Sequence, residues 1–251
     1  MVSKIKSILI SQPQPQPGDE DNPFVQIGKK WNVKVEFRKF IQIQGISASE
    51  FRKQSLDPLK FTAVIITSKY AVDHYFRICK ELKIEMPPDM KYFCVSEATA
   101  KYLQKYITIR KRKLFVGTKT AEDLIPLIKK HAAEKFVYPC SDIHKTELTD
   151  YMHANGFYIK EAIIYQTVSS DLSDVSLHQY DMLCFFSPSG IDSLFKNFPD
   201  FNQDTMRIGV FGPTTAKAAK DAGLKVVVEA PSPNAPSMAA AIENYLKTTN
   251  K

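Results

Sequence analysis

The sequence has little cysteine and no long apolar run. Its four cysteines are widely spaced and form no paired motif: Cys79, Cys94, Cys140 and Cys184. This pattern is typical of small buried side chains in a reducing compartment. Apolar stretches such as Met182–Phe186 are far shorter than a membrane-spanning helix, and the first residues lack the apolar core of a signal peptide. We therefore expect a cytoplasmic protein that does not bind membranes.

Motifs for metal, phosphate or serine-nucleophile chemistry are absent as well. The histidines have no metal-ligand spacing: His74, His131, His144, His153 and His178. The sequence contains no zinc motif, no Ser-His-Asp signature and no glycine-rich phosphate loop. We therefore predict no metal site, and any chemistry must depend on other residue types.

Charge gives a weak indication of the partner. The chain has 251 residues, 44% of them hydrophobic, with a formal net charge of +7 and a pI near 9.0. Such a charge favours an acidic partner, either nucleic acid or a polyanionic small molecule, although mildly basic proteins without such a partner are common. The basic run Arg110–Lys113 is interpreted as a solvated loop rather than a nucleic-acid surface.

Apolar segments alternate with helical patterns along most of the chain, which predicts parallel α/β sheets. The predicted strands are Ile5–Ser11, Ala63–Thr67, Tyr92–Val95, Lys113–Val116, Lys135–Tyr138, Asp181–Phe186, Arg207–Phe211 and Lys225–Glu229. The predicted helices are Ala71–Leu82, Ala98–Tyr106, Ala121–Ala133, Thr146–Asn155, Gly190–Asn197, Thr214–Ala222 and Ser237–Lys247.

An internal repeat is the most informative feature. Ile66–Phe76 aligns with Phe185–Phe195, and Cys94–Lys101 aligns with Val210–Lys217. Each match consists of an apolar strand, a small turn that carries hydroxyl groups, and the start of a helix. Two matches in the same order predict two copies of one α/β unit. Helix N-termini after such strands suit an anionic ligand.

Two longer, partly alternating segments interrupt this pattern, Val33–Ile46 and Phe157–Val168. At matching places in two copies, they predict a two-stranded ladder that connects two domains. One domain would be discontinuous, with residues 1–38 and 169–251, the other would be continuous, with residues 43–163, and residues 39–42 and 164–168 would form the ladder.

Three stretches in this order resemble the uroporphyrinogen-III synthase family of tetrapyrrole biosynthesis. They are Tyr165–Val168 (YQTV), Phe185–Gly190 (FFSPSG) and Gly209–Ala216 (GVFGPTTA). With the echoes in the first half, the resemblance covers essentially the whole chain. It implies two flavodoxin-like parallel-sheet domains from an internal duplication, joined by a two-stranded β-ladder, with the site in the inter-domain cleft.

The resemblance also implies an activity. Members of the family are lyases that cyclise hydroxymethylbilane, a linear tetrapyrrole with eight carboxylates, with inversion of the last pyrrole ring and loss of water. They need no metal and no cofactor. We expect a monomer that receives its substrate by transient hand-over from hydroxymethylbilane synthase and binds no nucleic acid.

Most candidate carboxylate-binding residues lie in or beside the repeated turns. Ser68, Thr99, Ser187, Ser189, Thr214 and Thr215 lie where helices are predicted to begin, so that hydroxyl groups and backbone amides are close together. Lys69 lies in the first turn. Arg207 lies apart from the turns, at the start of its predicted strand, and occupies a position that is often basic in the family. The alternative role for these serines and threonines is ordinary helix N-capping.

Tyr165 is the one predicted catalytic residue. A phenol with a pKa near 10 stays protonated and can donate to a departing hydroxyl, and Tyr165 aligns with the tyrosine proposed for that role in the family. The alternative is a strand tyrosine that only packs. Two positions depart from the family pattern: Gln12 stands where an arginine is usual, and Glu97 adds a negative charge beside a predicted anion-binding turn.

Two other functions are compatible with the sequence. A non-catalytic binding or regulatory protein for a tetrapyrrole or another polyanion would use the same scaffold, since fold alone does not determine function. Nucleic-acid binding driven by the net charge would require a recognition helix or an aromatic platform, and the sequence has no motif for either.

Overall fold

The computed structural model describes residues 4–250, so the ends of the predicted discontinuous domain, residues 1–3 and 251, lie outside the described residues. The chain packs as two compact units. Unit 1 comprises the described residues of Met1–Gln42 and Val168–Lys251, and unit 2 comprises Ile43–Thr167. The predicted connecting ladder stays a prediction.

Strands and helices alternate along the chain. The strands are β1 Ser7–Ile10, β2 Lys34–Phe37, β3 Ile41–Gly45, β4 Ala63–Ile66, β5 Lys91–Cys94, β6 Leu114–Val116, β7 Phe136–Ser141, β8 Ile159–Ser169, β9 Met182–Phe185, β10 Arg207–Phe211 and β11 Val226–Ala230. The helices are α1 Pro23–Trp31, α2 Ala48–Lys53, α3 Lys69–Glu81, α4 Glu97–Leu103, α5 Ile125–Lys129, α6 Glu147–Ala154, α7 Pro188–Asn197, α8 Pro213–Asp221 and α9 Met238–Thr249. In the part of the chain that the structure describes, no helix combines the length and the apolar character that crossing a membrane requires.

The sheet of unit 1 has the strand order β11-β10-β9-β1-β2, and every neighbouring pair is parallel. Numbered within the unit, this is the flavodoxin order 2-1-3-4-5. The order reverses between β1 and β9, and that reversal is where ligands bind in open α/β sheets.

The sheet of unit 2 has the order β3-β8-β7-β4-β5-β6. From β8 to β6 its neighbours are parallel, and the arrangement repeats that of unit 1, with β7 and β8 in the places of β1 and β2. In unit 2, however, β4, β5 and β6 come before β7 and β8 in the sequence. The spatial arrangement is therefore the same, but the order of the strands along the chain is circularly permuted. The point equivalent to the reversal lies between β7 and β4.

Helices cover both faces of each sheet. In unit 1, Ile27 of α1 and Ile242 of α9 pack with one face, and Leu194 of α7 packs with the other. In unit 2, Ile78 of α3 and Met152 of α6 belong to the cores on opposite faces. Burial on both faces explains why the strands read as short, uniformly apolar runs, as the sequence predicts.

One predicted segment, Val33–Ile46, is wrong as a single strand. It forms β2, which pairs with β1, and β3, which lies beside β8 in the other sheet. The chain turns between them because Phe40 is fully buried in unit 1 against Phe185, with ring centroids 5.7 Å apart.

Most predicted elements begin or end a few residues from the observed bounds, and two of the differences are informative. Strand β7 extends to Ser141, beyond the predicted end at Tyr138. Pro139 is a residue that usually ends a strand, so the sequence does not predict the extension. The strand tolerates this proline because β7 pairs with β4 only at Phe136 and Val137. The predicted helix Ala121–Ala133 is a 3₁₀ turn, Glu122–Leu124, followed by the short α5.

Asp123 organises the loop after β6. Its Oδ2 accepts hydrogen bonds from Thr118 Oγ1 at 2.5 Å, Thr120 N at 2.7 Å and Lys119 N at 2.8 Å. These donors favour the ionised carboxylate, and they lower the pKa of Asp123 from 3.8 to about 2.

The lowered pKa predicts a pH-dependent contribution to stability. Because the folded-state pKa lies below the unfolded value, the contribution is complete above pH 4 or so and is lost as the pH falls towards 2. We expect the difference in free energy of unfolding between the wild type and Asp123→Asn to shrink over that range, measured by urea denaturation at several pH values. A difference that stays constant with pH would contradict this assignment.

Candidate functional site

The carboxyl edge of each sheet, where its parallel strands end, carries the candidate residues. In unit 1 the strands on either side of the reversal are β1, which is followed directly by Ser11, and β9, which is followed two residues later by Ser187. Ser11 N donates to Cys184 O at 3.0 Å. A Cβ built on Gly190 would lie 3.7 Å from Ser187 Oγ and 3.9 Å from Ser11 Oγ, so both hydroxyl groups lie beside the start of α7.

Ser187 and Ser68 are equivalent N-caps. Ser187 has φ −155° and ψ 155°, and its side chain accepts from Gly190 N. Ser68 has φ −154° and ψ 162°, and its side chain accepts from Ala71 N. The two turns that the sequence aligns thus have the same geometry. Each cap satisfies one of the first helical amides, and others in the first turn point towards the carboxyl edge.

The turn between β10 and α8 differs from its counterpart. Gly212 is the N-cap with φ 89°, a left-handed conformation that favours glycine. No described side chain caps this helix, which leaves its first amides available to a ligand. Thr214 is exposed beside them, whereas Thr215 is 1% exposed and belongs to the packed interior.

The structure does not bring Arg207 to these turns. It is the first residue of β10 and lies at the amino edge of the sheet, the length of a strand away from Gly212. There it donates to Thr205 O at 3.1 Å and lines a cavity of about 860 Å³ with Asp181. A basic residue at this position therefore does not belong to the carboxyl-edge group of unit 1. Ser189, in contrast, lies in the first turn of α7.

Tyr165 lies at the carboxyl edge of unit 2. It occupies β8 opposite Ser141, the last residue of β7. The ring is partly buried, and this burial raises its pKa, while a hydrogen bond with the Ser68 side chain lowers it by less. The phenol therefore remains protonated at neutral pH and lies next to the N-terminus of α3.

Lys69 is the first residue of α3 and is exposed. Its Nζ lies 5.5 Å from the centre of the Tyr102 ring. Tyr102 in turn donates to Asp73 Oδ1 at 2.8 Å. A cation–π contact of this kind holds the ammonium group close to the helix N-terminus, where it adds to the positive potential of the backbone amides.

Thr99 has a structural environment. It is 6% exposed, its Oγ1 lies 3.1 Å from Ser96 Oγ, and Ser96 is the cap of α4. Glu97, the exposed first residue of α4, adds a carboxylate that opposes anion binding. This helix N-terminus is therefore less suited to a carboxylate than those of α3, α7 and α8.

Several polar residues near Tyr165 are not among the predicted site residues. Thr67 Oγ1 lies 3.3 Å from the Tyr138 hydroxyl. Asp142 Oδ1 accepts from Ser141 Oγ at 2.8 Å and from Thr167 N at 3.1 Å. Ser141 and Asp142 were not predicted because the predicted strand ends at Tyr138, directly before Pro139. The signal that could have located Thr67 was its place beside Ser68 in the repeated turn.

His144 also belongs to this group of polar residues, because it contacts the end of β7. Its Nδ1 lies 2.8 Å from Ser141 O, and its Nε2 lies 3.2 Å from Glu161 Oε1. Among residues 4–250, nowhere are three or more His, Cys, Asp and Glu side chains grouped so as to hold a metal ion. The candidate residues at the two carboxyl edges offer hydroxyls, helix amides, the Lys69 ammonium group and the Tyr165 phenol, which suit binding of carboxylates and donation of a proton.

Comparison with known proteins identifies the family. The family model described as uroporphyrinogen-III synthase HemD matches residues 33–240. The chain belongs to the uroporphyrinogen-III synthase family. The match includes the stretches around Tyr165, Ser187 and Thr214 that carry the resemblance in the sequence.

Solved structures of uroporphyrinogen-III synthases have a similar fold. The chain is 19% identical to the protein from Helicobacter pylori, over 97% of this chain and 100% of that chain, with a TM-score of 0.57. It is 13% identical to a mutant of the protein from Thermus thermophilus, over 98% of this chain and 99% of that chain, with a TM-score of 0.52. The expected α/β fold with parallel sheets is thereby confirmed.

Proposed function

We propose that the chain cyclises hydroxymethylbilane to uroporphyrinogen III, with Tyr165 as the catalytic residue. The observation that carries this proposal is the position of a protonated phenol at the carboxyl edge of unit 2, beside the N-terminus of α3. In the reaction, the C–O bond to the terminal hydroxyl breaks as Tyr165 donates its proton, and water leaves.

The remaining steps depend on orientation. Loss of water leaves an electron-poor, protonated azafulvene and the Tyr165 phenolate, and the far pyrrole ring attacks the azafulvene through its already substituted carbon. The resulting spiro intermediate rearranges to the inverted ring and loses a proton, which restores the Tyr165 phenol. Because unassisted closure gives the type I isomer, the protein must hold the chain in the conformation that leads to type III.

Substrate carboxylates are assigned to the helix N-termini. Ser68 and Lys69 at α3, Ser187 and Ser189 at α7, and Thr214 at α8 present hydroxyls, amides and one ammonium group. Thr99 and Thr215 support the turns from the interior. We further propose that the protein acts in the cytoplasm as a monomeric lyase and receives its substrate from hydroxymethylbilane synthase.

Analysis of the product isomers tests the proposal. Hydroxymethylbilane would be generated in situ by the preceding deaminase, with and without this protein, and the oxidised porphyrins would be separated by chromatography. We expect the product to shift from type I to type III. Type I alone from a folded sample would refute the cyclase and favour a non-catalytic binding protein on the same scaffold.

Ser187 allows its capping role to be separated from substrate binding. Replacement of an N-cap serine by alanine costs about 1 kcal/mol of stability, whereas glycine costs only a few tenths. We expect Ser187→Ala and Ser187→Gly to differ in stability in this way and to raise KM equally, since both lack the hydroxyl. Thermal melts and initial rates of type III formation would measure the two effects. Full activity in the glycine variant would show that the serine is only a cap.

A further inference from the structure

The ring of Tyr165 rests against His74. The two ring centroids are 5.3 Å apart, and the planes are tilted by 33°. His74 lies on α3 and Tyr165 lies on β8, so the contact joins the helix whose N-terminus is assigned to the substrate with the strand that carries the phenol. Tyr70 also approaches Tyr165, at 6.4 Å, but its side chain is exposed.

Arg77 fixes this arrangement from behind. Its Nε donates to His74 Nδ1 at 3.4 Å, and its Nη2 donates to Ile46 O at 2.7 Å and reaches Ile164 O at 3.5 Å. Ile164 is the residue directly before Tyr165. One guanidinium group therefore connects the histidine ring to the backbone that sets the position of the phenol.

The guanidinium has a further partner on its own helix. Arg77 Nη1 donates to Glu81 Oε1 at 2.6 Å. This ion pair is partly exposed and contributes little to stability. Its effect is on geometry, because it engages another N–H of the planar guanidinium group and thereby restricts the rotation of the Arg77 side chain.

Gly45 makes room for the pair. A Cβ at this position would lie 2.5 Å from His74 Nδ1 and 2.6 Å from Arg77 Nη2. Both distances are far below van der Waals contact, so any other residue would displace the imidazole and the guanidinium. The glycine is thus explained by a close approach of side chains to the backbone of β3.

The histidine is held in its neutral form. Burial lowers the pKa of His74, the nearby charge of Arg77 lowers it further, and Asp73 on the same helix opposes these effects. The bond from Arg77 requires Nδ1 to be an acceptor, which places the ring proton on Nε2. A neutral imidazole packs against a neutral phenol without introducing a charge beside the substrate.

We propose that His74 and Arg77 are positioning residues that hold Tyr165 in the orientation needed to protonate the departing hydroxyl. The proposal rests on the proposed cyclase function. It assigns no contact with substrate to His74 or Arg77, and it predicts that their effects on rate act through the hydroxyl group of Tyr165.

A double-mutant cycle tests the proposal in the full chain. We expect His74→Ala to lower kcat for type III formation about tenfold with KM nearly unchanged, since misplacement of a catalytic group slows turnover. His74→Phe should recover most of the loss because it restores a ring against Tyr165. In a Tyr165→Phe background, His74→Ala should have no further effect on kcat.

Two further variants complete the design. Gly45→Ala should reproduce the kcat loss of His74→Ala and should likewise have no further effect in the Tyr165→Phe background, which provides a second cycle if His74→Ala does not fold. His153→Ala, an exposed histidine on α6, is the matched control and should retain wild-type kcat.

The outcomes separate the two proposals. If the wild type forms no type III isomer, the cyclase function fails. If the wild type is active but the losses from His74→Ala or Gly45→Ala multiply with that of Tyr165→Phe, the positioning role is overturned. Unchanged kcat in folded His74→Ala would overturn it too.

Discussion

Tyr165→Phe is expected to lower kcat for type III formation about 100-fold while KM stays close to the wild-type value. General acid catalysis typically contributes 10²–10⁴-fold. The smaller value is expected because the terminal hydroxyl of hydroxymethylbilane also leaves without assistance. Phenylalanine retains the ring that packs on His74 and removes only the proton donor.

The pH profile adds a second expectation for the same residue. Burial raises the pKa of Tyr165 above its ordinary value of 10.0, so the phenol keeps its proton throughout the neutral and mildly alkaline range. Ionisation of Tyr165 should therefore cause no fall in kcat below pH 10 or so. A fall in kcat at lower pH that disappears in Tyr165→Phe would contradict this.

Tyr158→Phe is the matched control for the hydroxyl. Tyr158 is 51% exposed and directly precedes β8, at the opposite end of that strand from the carboxyl edge. Initial rates of type III formation should be unaffected by its replacement. If Tyr165→Phe also keeps the wild-type rate, Tyr165 has no part in the chemistry and only packs in the strand.

Phe93→Ala is expected to produce the largest loss of stability, about 3–5 kcal/mol. Phe93 is fully buried in β5. Its ring stacks on Phe115 at 4.7 Å between centroids and meets Phe136 edge-on at 5.3 Å. Truncation removes the buried apolar surface, leaves a cavity and eliminates both aromatic contacts, each of which adds about 0.5–1.5 kcal/mol beyond burial.

Urea denaturation followed by circular dichroism would measure this loss. Leu59→Ala is the matched control, because Leu59 is 50% exposed in the same unit. It should change the free energy of unfolding by less than about 0.5 kcal/mol. A loss below about 1.5 kcal/mol for Phe93→Ala would mean that neighbouring side chains close the cavity.

The sequence by itself was sufficient for the α/β architecture. Strands buried on both faces are nearly uniformly apolar, and β10 is predicted residue for residue. The ends of helices are also determined by local sequence. Gly156 and Gly223 have positive φ, 75° and 78°, directly after the predicted helix ends at Asn155 and Ala222. The repeat located the turns around Ser68 and Ser187, because N-capping depends on a few adjacent residues.

Pairing between distant segments was decided only by tertiary structure. Val33–Ile46 has a continuous β pattern, yet burial of Phe40 against Phe185 divides it between two sheets. Pro139 would end a strand by local rules, because proline has no backbone N–H to donate. The strand β7 nevertheless continues, since its pairing with β4 ends at Val137 and requires no donor at Pro139. These outcomes depend on neighbours far away in the sequence.

The same distinction applies to the candidate site. The sequence predicts Tyr165 as a catalytic residue through its resemblance to a family motif, and it predicts the hydroxyl-bearing turns through the repeat. It could not show that Thr99 and Thr215 are buried, or that His74 and Arg77 lie behind Tyr165. It did predict that Arg207 starts β10, but only the direction of that strand in the sheet places Arg207 at the amino edge, away from the turns. Residue type and spacing determine which groups a turn offers, whereas burial and the direction of each strand determine which of those groups a ligand can reach.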